Sequence, residues 1–200
     1  MSDLIRLMPP ELAKVVNAKP TLEKAANITS VPWQMLAAVW YRESFSVEPP
    51  VTPGGPFQFD PEPTKNVGEA LLKDFTKLDA SEIDFYLKKG VNVFPIAAVF
   101  CGCWLRHQCK YDLVAELKEP DPGKSIAIMD AFYGYNGRAW GQHPQSSPYV
   151  YNEFDEMHHG MIMRGSIPDR YAANGRQWIT IIDRRPGAFT VYTQLLKENV

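Results

Sequence analysis

Glu43 is the side chain whose position in the sequence most strongly suggests chemistry. It ends a predicted helix that begins at Pro32, and it shares one helical face with Leu36, Val39 and Trp40 at intervals of three and four residues. A carboxyl group at the end of an apolar stripe is partly withdrawn from water. Desolvation and the negative end of the helix dipole both raise the pKa of such a group. The pattern therefore predicts a carboxylic acid that keeps its proton near neutral pH and acts as a general acid.

The simpler interpretation of Glu43 is an exposed carboxylate paired with Arg42 or a lysine. The chain that follows argues against it, because the run from Glu48 to Pro63 holds six prolines and two glycines and predicts a long loop without a helix. Loops of this length in compact domains usually carry function. This loop contains Gln58 and Asp60.

Five short segments occur in a fixed order along the chain. They are Val31 to Ser44 (VPWQMLAAVWYRES), Gly55 to Asp60 (GPFQFD), Asn92 to Phe100, Tyr135 to Gly137, and Tyr149-Val150. The ordered set resembles the soluble lytic transglycosylase and goose-type lysozyme family over about residues 20–155. In that family the glutamate of a Glu-Ser pair is the catalytic acid, and Glu43-Ser44 matches this pair.

The pattern of elements predicts a mainly α domain with a minor β element, and the resemblance implies a lysozyme-like fold; no cofactor is expected. The resemblance also implies cleavage of the β-1,4 bond between N-acetylmuramic acid and N-acetylglucosamine in peptidoglycan, with Glu43 as general acid. Asp60 lies where some goose-type lysozymes have an aspartate, and a second carboxylate activates water in an inverting hydrolase. Lytic transglycosylases instead use the 6-hydroxyl of the substrate. Asp60 is therefore a catalytic candidate, and its alternative role is to cap a turn before Pro61.

The resemblance further assigns six residues to the substrate cleft: Ser44, Phe57, Gln58, Tyr135, Asn136 and Tyr149. Each has a structural alternative that the sequence leaves open. Gln58 can tie down the loop instead of binding sugar, and Asn136 can cap a helix end. Tyr135 is predicted to place its hydroxyl near Glu43 or near the substrate's N-acetyl group, or else to be a core aromatic residue.

The chain departs from the family pattern at several positions. Pro56 and Phe57 replace the usual Leu and Met, Gly134 replaces an Ala, and one residue is missing before Gly137. These departures keep a second hypothesis open, that of a catalytically inactive lysozyme-like protein with a structural or glycan-binding role, for example a phage virion component.

Composition limits the possible partners. A net charge of −2 argues against nucleic acid, and no apolar run is long enough for a membrane span. Cys101, Cys103 and Cys109 fit no standard zinc spacing, so we expect core thiols on a helix. Adjacent histidines at 158–159 lack the spacing of helical metal ligands, and no metal is expected.

The predicted organisation is one domain over residues 1–200, with a tail of unknown role at 161–200. Met1 to Arg6 lacks the features of a signal peptide. We therefore expect a protein made in the cytoplasm that reaches the cell wall or periplasm by another route, as a phage-encoded or virion-associated enzyme would. The predicted helices are Glu11–Asn17, Thr21–Ala26, Pro32–Glu43, Val67–Thr76, Ser81–Lys89, Asn92–Lys110, Lys124–Tyr135, Ser147–His159 and Ala188–Glu198, with a strand over Trp178–Ile182.

Overall fold

The computed structural model describes residues 9–45, 55–59, 61–118, 126–136, 143–144, 147, 149–150, 161–168, 176–183 and 186–198. This part of the chain is mainly helical, which confirms the predicted mainly α class. The helices are α1 (Pro9–Thr29), α2 (Trp33–Trp40), α3 (Pro61–Phe75), α4 (Ala80–Lys89), α5 (Phe94–Gln108), α6 (Leu113–Glu116), α7 (Ile126–Asn136) and α8 (Ala188–Lys197). A π-helical turn (Tyr41–Phe45) follows α2, and a 3-10 turn (Gly55–Phe57) precedes α3.

Helix α5 forms the centre of the core. It packs against α1, α2, α3 and α7, and most of its length is buried. Pro95 lies in its first turn, where the missing N–H group costs nothing. The thiols of Cys101 and Cys103 are buried and unpaired with each other, as predicted for a core helix, and Cys109 at its end is half-buried.

Helix α1 corrects the prediction of two separate helices, Glu11–Asn17 and Thr21–Ala26. The structure has one helix of 21 residues with Pro20 inside it. Val15 lies before the proline and Leu22 after it, and both are fully buried. Burial of apolar side chains on both sides outweighs the loss of one backbone hydrogen bond at Pro20.

Helix α3 corrects the prediction that no helix begins before Pro63. It starts at Pro61 and includes Pro63. Both prolines lie in the first turn, where backbone N–H groups have no acceptor within the helix, so the fixed φ of proline is favourable there. Helix α6 was not predicted, since its four residues are too few to show a helical period.

Helix α4 begins at a capping box. The Asp79 carboxylate accepts from the backbone N–H groups of Ser81 and Glu82, at 2.8 and 2.9 Å, and the Glu82 side chain accepts from the N–H of Asp79 at 2.8 Å. These hydrogen bonds to the charged form lower the pKa of Asp79.

The C-terminal part contains a two-stranded antiparallel sheet. Strand β1 (Met161–Pro168) pairs with β2 (Arg176–Asp183), with Met161 opposite Asp183 and Pro168 opposite Arg176. Strand β2 includes the segment Trp178–Ile182. The predicted helix from Ser147 falls largely on residues 151–160, outside the described residues. Within the described ranges, no helix has the length and apolar character needed to cross a membrane.

Candidate active site

Glu43 lies in the π-helical turn that continues α2. The preceding helix is anchored by Leu36 and Val39, which are fully buried, and by Trp40, whose ring meets that of Phe94 edge-to-face at 4.9 Å. A π turn widens the backbone by one residue per turn and is frequent at functional sites. The change of geometry leaves Glu43 half-buried at the end of a rigid element.

Two side chains from distant parts of the sequence donate hydrogen bonds to the same carboxylate oxygen of Glu43. The Tyr149 hydroxyl donates to Oε1 at 2.6 Å, and the Asn136 amide Nδ2 donates to Oε1 at 3.3 Å. Tyr149 is buried, whereas Asn136 is exposed at the end of α7. The carboxyl group is therefore held in one orientation, from a buried side and from an exposed side.

Tyr149 lies in a polar pocket within the core. Its ring faces the buried guanidinium of Arg42, whose Cζ lies 5.4 Å from the ring centroid. Burial raises the pKa of Tyr149 well above its ordinary value of 10.0, and the charge of Glu43 and its hydrogen bond act in the same direction. The positive charge of Arg42 acts in the opposite direction. The hydroxyl of Tyr149 is thus kept protonated and available as a donor to Glu43.

Tyr135 supports the neighbouring turn. Its hydroxyl donates to the backbone carbonyl of Phe57 at 2.7 Å. Burial raises the pKa of Tyr135 well above 10.0, and the charge of Glu43 acts in the same direction. The sequence proposed that the Tyr135 hydroxyl lies near Glu43 or near the substrate's N-acetyl group. In the structure, the tyrosine whose hydroxyl binds Glu43 is Tyr149.

The turn at Gly55–Phe57 depends on glycine. Gly55 has φ +65°, and a Cβ there would meet the carbonyl oxygen of Val91 and lie 3.1 Å from Cα of Asn92. The backbone N–H and the side-chain Nε2 of Gln58 both donate to the Gly55 carbonyl, at 3.1 and 3.0 Å. Gln58 itself has φ +55°, so this close pair of hydrogen bonds compensates a strained backbone. In the structure, Gln58 therefore stabilises its own loop, which is the alternative role that the sequence left open.

The prediction that the Phe57 side chain contacts substrate is wrong. Phe57 is fully buried, and its ring stacks on that of Phe94 with centroids 5.7 Å apart. An apolar ring at this position stabilises the core more than it could by facing a wet cleft. Its backbone carbonyl, by contrast, is the acceptor for Tyr135.

Packing explains one departure from the family pattern. Gly134 lies on α7 directly against the end of α5, and a Cβ there would come within 2.7 Å of Cβ and 2.8 Å of the carbonyl oxygen of Gln108. An alanine at this position would force the two helices apart. The glycine lets α7 approach closely enough for Tyr135 to reach Phe57.

Two predicted site residues have no described side chain. Asp60 lies outside the described residues, and Ser44 is described only by its backbone in the π turn. The sequence missed one buried group next to the site, Arg42. Arg42 was expected only as a surface partner of Glu43, and nothing in its local pattern signals burial beneath a tyrosine 107 positions later.

The polar groups of the site come together from four parts of the chain. The π turn supplies Glu43, α7 supplies Tyr135 and Asn136, the segment at 149–150 supplies Tyr149, and the 3-10 turn supplies its backbone. Among the described residues, no group of three His, Cys, Asp or Glu side chains could hold a metal ion. Comparisons with protein-family models, with curated proteins and with solved structures found no match.

Proposed function

We propose that this protein is a peptidoglycan glycosidase that cleaves the β-1,4 bond between N-acetylmuramic acid and N-acetylglucosamine, with Glu43 as its general acid. The observation that carries the proposal is the fixation of a half-buried glutamate by Tyr149 and Asn136, at 2.6 and 3.3 Å, at the helix end where the family resemblance expects the acid. Groups that hold a carboxyl in one orientation favour proton transfer to a bound substrate.

In the proposed reaction, the Glu43 carboxyl donates its proton to the glycosidic oxygen while the bond from that oxygen to C1 breaks. The carboxylate that results then takes a proton from the attacking group as a new bond forms at C1. When the attacking group is water, the product has a reducing end. When it is the 6-hydroxyl of the muramic acid itself, the product has a 1,6-anhydro end.

The test is digestion of purified peptidoglycan sacculi followed by mass spectrometry of the soluble fragments. Wild-type protein should release muropeptides, and their reducing or anhydro ends identify the attacking group. Glu43→Gln keeps an oxygen that accepts from Tyr149 but lacks the transferable proton, so it should lose at least about 100-fold in rate. The matched control is Glu69→Gln, an exposed glutamate that pairs with Lys73 on α3, which should retain the wild-type rate.

A second candidate is a glycan-binding protein without turnover. The burial of Phe57 and the hydrogen bond from the Gln58 amide to Gly55 favour it, because both residues of this family motif are committed to the protein's own interior or turn. It predicts that wild-type protein sediments with sacculi and releases no fragments. Fragment release that persists at full rate in Glu43→Gln would refute the role assigned to Glu43.

A further inference from the structure

The C-terminal helix α8 lies outside the part of the chain that carries the family resemblance, yet it contacts two elements that form the site and the helix that precedes Glu43. It packs against α2, against the π turn that carries Glu43, and against α7. Its inward side is almost entirely buried, with Ala188, Val191 and Leu195 fully inaccessible. The helix is therefore part of the site's framework and not a separate appendage.

The N-terminus of α8 is joined directly to the tyrosine segment. The backbone N–H of Ala188 donates to the carbonyl oxygen of Tyr149 at 2.8 Å, and the N–H of Phe189 donates to the carbonyl oxygen of Val150 at 2.9 Å. These two donors belong to the first turn of a helix, where N–H groups have no acceptor within the helix. The carbonyl oxygens of Tyr149 and Val150 accept these two hydrogen bonds, so the free N–H groups at the start of α8 are satisfied by the tyrosine segment.

The same residue, Tyr149, connects the helix to the acid. Its backbone is bound by Ala188, its ring faces Arg42, and its hydroxyl reaches Oε1 of Glu43 at 2.6 Å. A side chain fixed at the backbone and at the ring has little rotational freedom left. The backbone contact with α8 therefore helps to fix the direction of the hydroxyl, and the hydroxyl in turn holds the Glu43 carboxylate.

We propose that Tyr149 is a positioning residue for Glu43 and that α8, through the Ala188 N–H group, holds it in register. The effect on turnover rests on the proposed function. The tail of the chain would then contribute to the reaction without touching the substrate.

Two substitutions test the Tyr149 hydroxyl and the Ala188 N–H group separately. Tyr149→Phe keeps the ring and removes the hydroxyl. Ala188→Pro removes the N–H and adds a ring at a buried position; the backbone accepts proline there, since position 188 is the first of the helix and Gly187 has φ −65° and ψ 156°. Both variants should lower kcat by about 10- to 100-fold and leave KM within about threefold, because a misplaced acid slows the chemical step more than it weakens binding.

Matched controls exist at both positions. Tyr192→Phe removes the hydroxyl of another buried tyrosine, one that packs on Phe132 and Phe189, and should keep the wild-type rate. Ala188→Gly keeps the N–H group and should stay within about threefold of wild type. A rate for Tyr149→Phe equal to that of Tyr192→Phe, in a wild-type protein that degrades peptidoglycan, would overturn the positioning role and leave the proposed function standing.

A readout that needs no turnover keeps the inference testable if the wild-type protein cleaves nothing. The Cζ resonances of ¹³C-labelled tyrosine report ionisation of each hydroxyl, and Tyr149→Phe assigns the resonance of Tyr149. Ala188→Pro should move the titration of Tyr149 toward its ordinary range, because a displaced ring is less buried and farther from Glu43. Ala188→Gly should not. An identical Tyr149 titration in wild type and Ala188→Pro would refute the role of α8.

Discussion

The pKa of the Cys103 thiol tests how completely the surrounding core shields α5 from water. Burial raises the pKa of its thiol from an ordinary value of 9.0 to about 12, and Arg106 one turn later opposes this only partly. Because the folded protein holds the thiol proton more tightly than the unfolded chain, the unfolded chain binds fewer protons between pH 9 and pH 12. Stability contributed by the neutral thiol is therefore complete below pH 9 and is lost as the pH rises toward 12.

The size of the effect follows from the two pKa values. A difference of about 3 units corresponds to about 4 kcal/mol in full, at about 1.4 kcal/mol per unit. At pH 10 the pH is one unit above the pKa of the unfolded thiol and about two units below that of the folded thiol. About 1 kcal/mol of unfolding free energy is therefore lost. At pH 11 the loss reaches about 3 kcal/mol.

The assay is urea unfolding under reducing conditions at pH 8, 10 and 11, with wild type and Cys103→Ala compared at each pH. The variant is less stable at pH 8, because truncation leaves a small cavity. The gap between the two proteins should narrow by about 1 kcal/mol at pH 10 and by about 3 kcal/mol at pH 11. A gap that stays constant from pH 8 to pH 11 would show that the Cys103 thiol ionises as readily in the folded protein as in the unfolded chain, and would refute the reasoning.

Two further predictions concern contacts across the core and within the site. Gly102→Ala would place a Cβ within 2.7 Å of Cβ and 2.8 Å of Cγ2 of the fully buried Thr29, so it should cost about 1 to 3 kcal/mol of unfolding free energy. Thr29→Ala should recover part of that loss in a double-mutant cycle, and strictly additive losses would contradict the close approach of α1 and α5. Glu43→Gln removes a negative charge beside Tyr149 and should lower the pKa of Tyr149 while burial still holds it above 10.0. The ¹³C tyrosine titration measures this, and an unchanged Tyr149 curve would mean that the two groups do not interact.

The hydroxyl partners of Tyr135 and Tyr149 illustrate what a sequence motif can and cannot specify. The sequence proposed that the Tyr135 hydroxyl lies near Glu43 or near the substrate, and it left Tyr149 as either a core or a cleft residue. Which hydroxyl reaches Glu43 depends on the separation of α7 from the 3-10 turn, where Tyr135 finds the Phe57 carbonyl at 2.7 Å. That acceptor is a backbone atom, and residue types alone do not indicate where a backbone carbonyl points.

Proline was the main source of error in the predicted elements. Local chemistry makes Pro20 a helix breaker and makes the run before Pro63 a loop, yet α1 continues through the first and α3 starts within the second. In α1 the deciding term is burial of Val15 and Leu22 in the core, where α1 packs against α5, a helix distant in the sequence. In α3 it is the position of the prolines within the first turn, which a count of prolines does not reveal.

The sequence by itself determined the mainly helical class, the buried thiols of α5 and the end of the apolar stripe at which Glu43 lies. Each of these follows from short-range periodicity, which neighbouring residues specify. Only the tertiary structure decided that Phe57 is core, that Tyr149 binds Glu43, and that α8 holds Tyr149 from behind. Those features join residues separated by about 40 to 110 positions, and they depend on how closely whole helices pack, which is a property of the assembled core.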